Sequence, residues 1–255
     1  MNEFILSLLH DLKEEDNLSD SFIQIAYLSS MDFTQNSIFL NPSFLLSLIN
    51  DYLYQSQIEH IFIICHNIIA DSYFNLELFN AIIESNYIPY FLNNYHDDAF
   101  LQMLNMLIYK TYHLNSELLP IFKDTIPFLI NSINSESSEN RFFCIDSLCY
   151  LIFFPECLTF ALENELMYFL EKSLALANSQ LFSQSLILIN RIHKCDKSIY
   201  IQNAEIASQV IRHLEHADDH QIHIIIEYLK TLIIEDSKLF FELNIINELL
   251  FIIQT

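Results

Sequence analysis

Four histidines close together in the C-terminal part of the sequence have the types and spacing that could do chemistry. They are His213, His216, His220 and His223, and the same stretch holds Glu215, Asp218 and Asp219. The first two share a helix face at a spacing of three residues, and so do the last two. Neutral imidazoles in this pattern could bind zinc or another transition metal, or titrate as a pH-sensitive hinge. The two pairs fall on different helices, however, so the pattern favours solvated turn histidines beside capping aspartates. We therefore predict no bound metal and no cofactor.

Other catalytic chemistry finds little support in the sequence. The chain contains no glycine, which excludes glycine-rich phosphate loops and a glycine-flanked nucleophile elbow. The metalloprotease motif H-E-x-x-H does not occur either. Nothing in the spacing of cysteines and histidines favours a Cys–His nucleophile. We predict that the protein is not an enzyme.

The five cysteines are predicted to be free, buried thiols. They lie mostly in apolar helical stretches, and their spacing resembles neither a disulfide framework nor a zinc site. Their positions are Cys65, Cys144, Cys149, Cys157 and Cys195. Thiols of this kind are typical of a reducing compartment, so we expect the protein in the cytoplasm, the nucleus or both.

A repeat of about 41 residues organises most of the chain. Five apolar segments align by inspection on Asn67, Tyr109, Tyr150, Asn190 and Thr231, at spacings of 42, 41, 40 and 41 residues. A period of this size is typical of a helical solenoid, in which each unit buries its apolar face against its neighbours. The pattern predicts the architecture but leaves the function open.

A second periodic set of positions, occupied by Asn or Asp, precedes a short apolar helix in each unit. Its members are Asn86, Asp124, Asn164, Asn203 and Asn244. Turns between helices often need a residue with positive φ, and Asn and Asp are the best replacements for glycine there. We predict that these residues take that conformation. We also predict that Asp97, Asp98, Asp218 and Asp219 cap long helices and that Pro42, Pro89, Pro127 and Pro155 start helices.

The charge of the chain restricts its partners. The formal net charge is −22, and residues 1–109 carry 14 acidic residues against the single basic residue Lys13. Nucleic acid is a poor partner for such a chain, because binding to it depends on neutralising phosphates with Lys and Arg. An acidic solenoid favours basic peptides, although the same acids could serve only to keep the surface soluble. No apolar run is long enough to cross a membrane.

The uninterrupted repeat predicts a single domain over residues 1–255. We divide it into an N-terminal partial repeat at 1–32, a loop and helix at 33–54, and repeats at 56–97, 98–136, 137–177, 178–218 and 219–255. The chain stops before the long helix of its last unit. This end is therefore either a cap or an apolar face, over 245–253, that meets a partner.

The repeat unit resembles the armadillo repeat. It has a short helix, a turn, a second helix often begun by proline, and a long third helix ending in an apolar–x–Asn–apolar–apolar motif, clearest at 56–96. The resemblance covers about residues 17–255 and includes a distant similarity to importin-α-like proteins. It implies an all-α, right-handed α-solenoid, an armadillo-type superhelix of about five to six repeats.

The resemblance also implies a binding groove lined by the third helices. Importin-α-type members clamp a basic peptide there with a conserved Asn, and a Trp four residues earlier holds Lys side chains. Asn67 and Asn190 match the Asn, whereas the Trp position holds Ile63, Asn105, Asp146, Leu186 and Glu227. With the residues that share the same helix face, the candidate surface is Glu59, Ile63, Asn67, Asn105, Tyr109, Asp146, Tyr150, Leu186, Asn190, Glu227 and Thr231.

This surface mixes acids, amides, tyrosines and apolar residues, as peptide-binding surfaces do. We expect a non-enzymatic protein-interaction module that holds an extended, basic segment on its concave face. Two alternatives remain open. One is a divergent importin-α-like nuclear transport adaptor, and the other is a structural or regulatory subunit docked through its C-terminal face.

Overall fold

The structure is a computed structural model that describes residues 7, 18–30, 37–52, 58–71, 74–84, 88–89, 92, 98–133, 135–176, 179–196, 204–214 and 217–235. Four predicted turn or cap residues lie outside these ranges, namely Asn86, Asp97, Asn203 and Asn244, and so does the C-terminal face predicted at 245–253. The α-helices are α1 Leu18–Ser29, α2 Pro42–Tyr52, α3 Ile58–Ala70, α4 Leu76–Glu84, α5 Asp98–Asn115, α6 Ile126–Ser132, α7 Ser138–Leu151, α8 Pro155–Glu163, α9 Leu166–Leu176, α10 Ser179–Cys195, α11 Ala204–His213 and α12 Asp219–Glu235. Two 3₁₀ helices span Ser37–Leu40 and Ser116–Thr125.

The backbone contacts divide the chain into two compact units, Met1–Leu119 and Pro120–Thr255. In the first unit, α3 packs between α1 and α5, while α2 packs on α3 and α4. In the second, α10 packs between α7 and α12, and α9 contacts α6, α8, α10 and α11. Each unit therefore has a row of long helices, α1–α3–α5 or α7–α10–α12, with shorter helices packed beside it. The single domain predicted over 1–255 stays a prediction.

The burial pattern of the long helices confirms the repeat at the level of single side chains. Each long helix buries one residue and then, three positions later, an adjacent pair. These buried triads are Ile25, Leu28 and Ser29; Cys65, Ile68 and Ile69; Leu104, Leu107 and Ile108; Cys144, Ser147 and Leu148; Ser185, Leu188 and Ile189; and Ile225, Tyr228 and Leu229. Successive triads are 40, 39, 40, 41 and 40 residues apart. Six such helices lie within the described ranges, as expected for a solenoid of five to six units.

Hydrogen bonds join neighbouring repeats at the same period. Asn67 Nδ2 donates to the backbone oxygen of Ala26 over 3.3 Å and to Ser29 Oγ over 3.0 Å. Lys110 Nζ donates to the oxygen of Asp71 over 2.9 Å, and Arg191 Nη1 donates to the oxygen of Cys149 over 2.6 Å. These side chains lie 38 to 42 residues from their acceptors. The long helices of each unit are therefore linked by polar contacts as well as by the apolar core.

Local capping explains where several helices begin. Asp218 and Gln221 form a reciprocal capping box at the start of α12: Gln221 N donates to Asp218 Oδ1 over 2.8 Å, and Asp218 N donates to Gln221 Oε1 over 3.0 Å. Asp218 was predicted as a cap, whereas Asp219 is the first residue of the helix. Pro42 and Pro155 start α2 and α8 as predicted.

The turn between α8 and α9 corrects the prediction for Asn164. Asn164 has φ −95°, whereas its neighbour Glu165 has φ 63°, the one positive φ within the described ranges. Asn164 instead uses its side chain, whose Nδ2 donates to the backbone oxygen of Phe160 over 2.7 Å. The side chain of Asn164 thus satisfies a free carbonyl at the end of α8, and the left-handed conformation is taken by the next residue, Glu165. Asp124, within the described residues, has no positive φ either.

Candidate functional site

The burial pattern changes the alignment of the long helices. The residue before each buried pair is exposed or half-buried, and we call this set the first surface row: Tyr27, Asn67 and Met106 in the first unit, and Asp146, Ile187 and Glu227 in the second. Four residues later lies the second surface row: Asp71 and Lys110 in the first unit, and Tyr150, Arg191 and Thr231 in the second.

The predicted equivalence of Asn67 with Tyr109, Tyr150, Asn190 and Thr231 is therefore wrong. Asn67 belongs to the first row, Tyr150 and Thr231 belong to the second, and Tyr109 and Asn190 lie one residue before the second row. The error has a simple source. The predicted equivalents lie three or four residues, about one helix turn, beyond the row of Asn67, and apolar runs as dense as these fit several registers.

Two predicted surface residues are consequently buried. Asn105 is 7% exposed and Leu186 is 0% exposed, because both lie in the residue position directly before the first row, on the core side of the helix. Their accessible neighbours are Met106 and Ile187, which are half-buried. Asn105 and Leu186 are thus not available to a ligand in this structure, and we leave them out of the proposed surface.

The second unit has an open cleft between α10 and α12. Its volume is about 190 Å³, and it is lined by Ile187, Asn190, Arg191, Lys194, Ile224, Glu227 and Thr231. Three of these residues, Asn190, Glu227 and Thr231, were predicted as site residues from the sequence. Thr231 Oγ1 donates to the backbone oxygen of Glu227 over 2.9 Å, so its hydroxyl is held against its own helix.

The positive and the negative side chains that line this cleft come from different helices. The cations Arg191 and Lys194 come from α10, which contains no Asp or Glu. The carboxylate comes from Glu227 on α12, where Lys230 Nζ lies 3.6 Å from Glu227 Oε1. Both members of that pair are more than 60% exposed, so the contact is worth little and can exchange with a ligand charge.

Arg191 also ties α10 to the end of α7. Its guanidinium donates to the oxygen of Cys149 and lies 5.8 Å from the ring centre of Tyr150 and 5.1 Å from that of Phe153. These are cation–π distances. Phe153 is exposed, and Tyr150 and Asp146 are half-buried. The end of α7 therefore presents two aromatic rings next to the guanidinium of Arg191.

The long-helix surface of the first unit is less charged. Glu59 and Ile63 are exposed on α3, and Tyr27 is exposed on α1. Tyr109 packs edge-on against His113 with ring centres 4.5 Å apart. The carboxamide of Asn67, expected to clamp a ligand backbone, instead donates to Ala26 and Ser29 of α1. Its structural role could not be inferred from the Asn residue type.

The structure separates the histidines within its described part. His213 stacks on Phe182 with ring centres 4.2 Å apart, and its Nε2 lies 3.4 Å from the oxygen of Leu174. His220 and His223 are exposed on α12, and His216 lies outside the described residues. Among the residues that the structure describes, no three His, Cys, Asp or Glu side chains are grouped so that they could hold a metal ion.

The cysteine thiols are poorly placed for nucleophilic chemistry. All five cysteines are free, and Cys65, Cys144, Cys149 and Cys157 are buried while Cys195 is exposed. Burial raises the pKa of Cys65 and Cys149 to about 12 and that of Cys157 to about 11. A thiol with such a pKa supplies almost no thiolate at neutral pH, and the thiolate is the nucleophile.

Four cleft residues, Ile187, Arg191, Lys194 and Ile224, were missed by sequence reasoning. The signal was present in α10, the long helix that carries cations near its end and no acid. The predicted surface followed the acids and amides of the alignment on Asn67 instead.

In the part of the chain that the structure describes, every helix is too short or too polar to span a membrane.

Comparisons with known proteins identify the fold. No protein-family model matches the chain, and no curated protein matches it. Solved structures do match. An engineered protein has a TM-score of 0.69 at 14% identity, with 92% of this chain and 98% of that chain covered. A designed armadillo repeat protein in complex with peptide (KR)4 has a TM-score of 0.66 at 14% identity, covering 88% and 98%. A second designed armadillo repeat protein has a TM-score of 0.68 at 15% identity, covering 89% and 98%. The chain therefore has an armadillo-like repeat fold, an all-helical scaffold.

Proposed function

We propose that this protein is a non-enzymatic protein-binding module that holds an extended, basic segment of a partner along the exposed faces of its long helices. The observation that carries the proposal is the cleft between α10 and α12. It brings an amide (Asn190), a carboxylate (Glu227), and the apolar side chains of Ile187 and Ile224 to one open surface, together with two cations of α10 that the ligand must also accommodate. Amides pair with a peptide backbone, carboxylates attract basic side chains, and apolar side chains bury aliphatic parts of the ligand.

Charge supports a basic ligand. The net charge of −22 steers cations toward the protein. Glu59, Asp146 and Glu227 lie on long helices, and none of the three side chains is buried. A protein of the same fold has been solved in complex with peptide (KR)4. We propose that the three acids attract Lys or Arg of the ligand and that nucleic acid is not a partner.

We further propose a reducing compartment, cytoplasm or nucleus, because all five cysteines are free thiols. The two alternatives, nuclear transport and docking through the C-terminal face, stay predictions. No described contact bears on transport, and residues 236–255 lie outside the described part of the chain.

The test uses the full chain and a fluorescently labelled (KR)4 peptide. Fluorescence anisotropy is measured at low and high salt for the parent protein and for the triple variant Glu59→Lys, Asp146→Lys, Glu227→Lys. The matched control reverses three exposed acids that lie outside the long helices, Glu117, Glu156 and Glu163, so both variants change the net charge equally.

We expect the long-helix variant to lose at least about tenfold in affinity, with a salt-sensitive Kd, and the control to lose less than about threefold. Equal losses in both variants would show that binding depends on net charge only. No binding by the parent protein would reject a basic ligand of this kind.

A further inference from the structure

The long helices of the second unit present an acid on either side of a helix that carries cations. The first surface row has Asp146 on α7 and Glu227 on α12, where the exposed Lys230 pairs with Glu227. The helix between them, α10, contributes the cations Arg191 and Lys194 and no acid. Because α10 packs directly between α7 and α12, its two cations lie between the helices that carry the two acids.

A uniformly basic segment does not fit this order. A ligand that crosses from α7 to α12 must pass α10, where Lys194 is exposed and lines the same cleft as Glu227. A ligand Lys or Arg placed there would meet Lys194 and Arg191, and like charges in contact disfavour binding. A carboxylate in the same place would be attracted by both.

We infer that the second unit recognises a segment whose side chains run basic, acidic, basic, with the acidic residue held over α10 by Lys194 and Arg191. This inference rests on the proposed function and specifies its ligand. The basic residues of the segment face Asp146 and Glu227. Ile187 and Ile224 provide apolar contact beneath the central acidic side chain.

The spacing of the segment follows from helix packing. Packed helices lie about 8–10 Å apart, and an extended chain advances about 3.3 Å per residue. One helix step therefore corresponds to two or three ligand residues. The expected motifs are Lys-x-Glu-x-Lys and Lys-x-x-Glu-x-x-Lys, flanked by small polar residues.

The test compares labelled peptides of equal length with the full-length protein at low salt. At each of the two spacings, the mixed peptide is compared with an all-basic peptide in which Glu is replaced by Lys, and with a scrambled peptide of the same composition. We expect the mixed peptide at one spacing to bind at least about threefold more tightly than both others, although its net charge is less positive than that of the all-basic peptide.

A charge swap at the cleft supplies the second arm. Lys194→Glu should reverse the preference, so that the all-basic peptide binds more tightly than the mixed one. The control Lys172→Glu changes an exposed lysine of α9, outside the long helices, and should leave the preference unchanged.

The outcomes separate the two proposals. Tighter binding of the all-basic peptide, unaffected by Lys194→Glu, overturns this inference and leaves the proposed function standing. A mixed-peptide preference that Lys194→Glu does not change also overturns it, because the acidic residue would then bind elsewhere. Absence of binding by every peptide overturns both proposals.

Discussion

The guanidinium of Arg191 donates a hydrogen bond of 2.6 Å to the backbone oxygen of Cys149, one repeat earlier in the chain. Lys110, at the equivalent place in the second surface row, does the same to the oxygen of Asp71 over 2.9 Å. Both acceptors lie at the C-terminal end of the preceding long helix, where carbonyls lack partners and the helix dipole is negative. In both units, therefore, a cation of the second surface row joins its own repeat to the preceding one through a hydrogen bond to a backbone oxygen.

Replacing Arg191 should weaken the second unit. Arg191→Ala removes a charged hydrogen bond and two ring contacts, so we expect the free energy of unfolding to fall by about 1.5–3 kcal/mol. Arg191→Lys should lose less, because it keeps the charge. Urea denaturation measures the change, with Arg212→Ala on the exposed face of α11 as the control. Equal stability of the two Ala variants would show that the Cys149 contact contributes little.

Asn67 is expected to stabilise the fold and not to contact a ligand. Asn67→Ala removes the hydrogen bonds to Ala26 and Ser29, which should lower the free energy of unfolding by about 1 kcal/mol. The affinity for labelled (KR)4, measured at a temperature where both proteins are folded, should change less than twofold. Asn190→Ala, in the cleft, should weaken binding. A variant at Asn67 that keeps its stability but loses affinity would instead support the clamp implied by the armadillo resemblance.

Glu165 occupies a conformation that suits glycine. Its φ of 63° costs a residue with a Cβ about 1 kcal/mol, and glycine avoids most of that cost. Glu165→Gly should therefore raise the free energy of unfolding by about 0.5–1 kcal/mol in urea denaturation. The matched control is Glu163→Gly, two residues earlier and still within α8, which should lower it by a similar amount. Destabilisation by both substitutions would contradict the assigned conformation.

The capping box of α12 depends on Asp218 and not on its neighbour. Asp218→Ala removes the acceptor for the backbone N–H of Gln221 and should cost about 1 kcal/mol in thermal or urea unfolding. Asp219→Ala changes an exposed residue in the first turn and should cost about 0.3–1 kcal/mol at most, through the helix dipole. A larger loss at Asp219 would mean that the helix starts one residue later than described.

Stability should fall at alkaline pH because of buried thiols. Burial raises the pKa of Cys65 and Cys149 from an ordinary value of 9.0 to about 12. Between these values the unfolded chain loses thiol protons that the folded chain keeps, so the unfolded state gains stability as pH rises. The contribution is fully present below about pH 9 and is lost progressively toward pH 12.

The measurement is the slope of the unfolding free energy between pH 8 and about 10.5. In the double variant Cys65→Ala, Cys149→Ala that slope should be shallower than in the parent protein, even if its stability at pH 8 is lower. Replacing the exposed Cys195 by Ala should change the slope much less. A steep slope that survives the double substitution would assign the alkaline loss to other groups.

The sequence by itself determined the period and the helices. The recurring apolar segments predicted repeats that begin at 56, 98, 137, 178 and 219, and the long helices α3, α5, α7, α10 and α12 begin within two residues of those positions. Asp218, Pro42 and Pro155 mark helix starts because their side chains act on the nearest backbone groups. Effects that depend on neighbouring residues in the chain can be inferred from a sequence without its tertiary structure.

Only the tertiary structure decided which side of each long helix faces outward. It buried Asn105 and Leu186, gave the amide of Asn67 to α1, and placed Lys194 and Glu227 in one cleft. In a chain that is 52% hydrophobic, apolar residues occur on both sides of a helix. The rotation of the helix is then set by the helices packed against it, and a rotation of one residue, about 100°, exchanges a core position for a surface one.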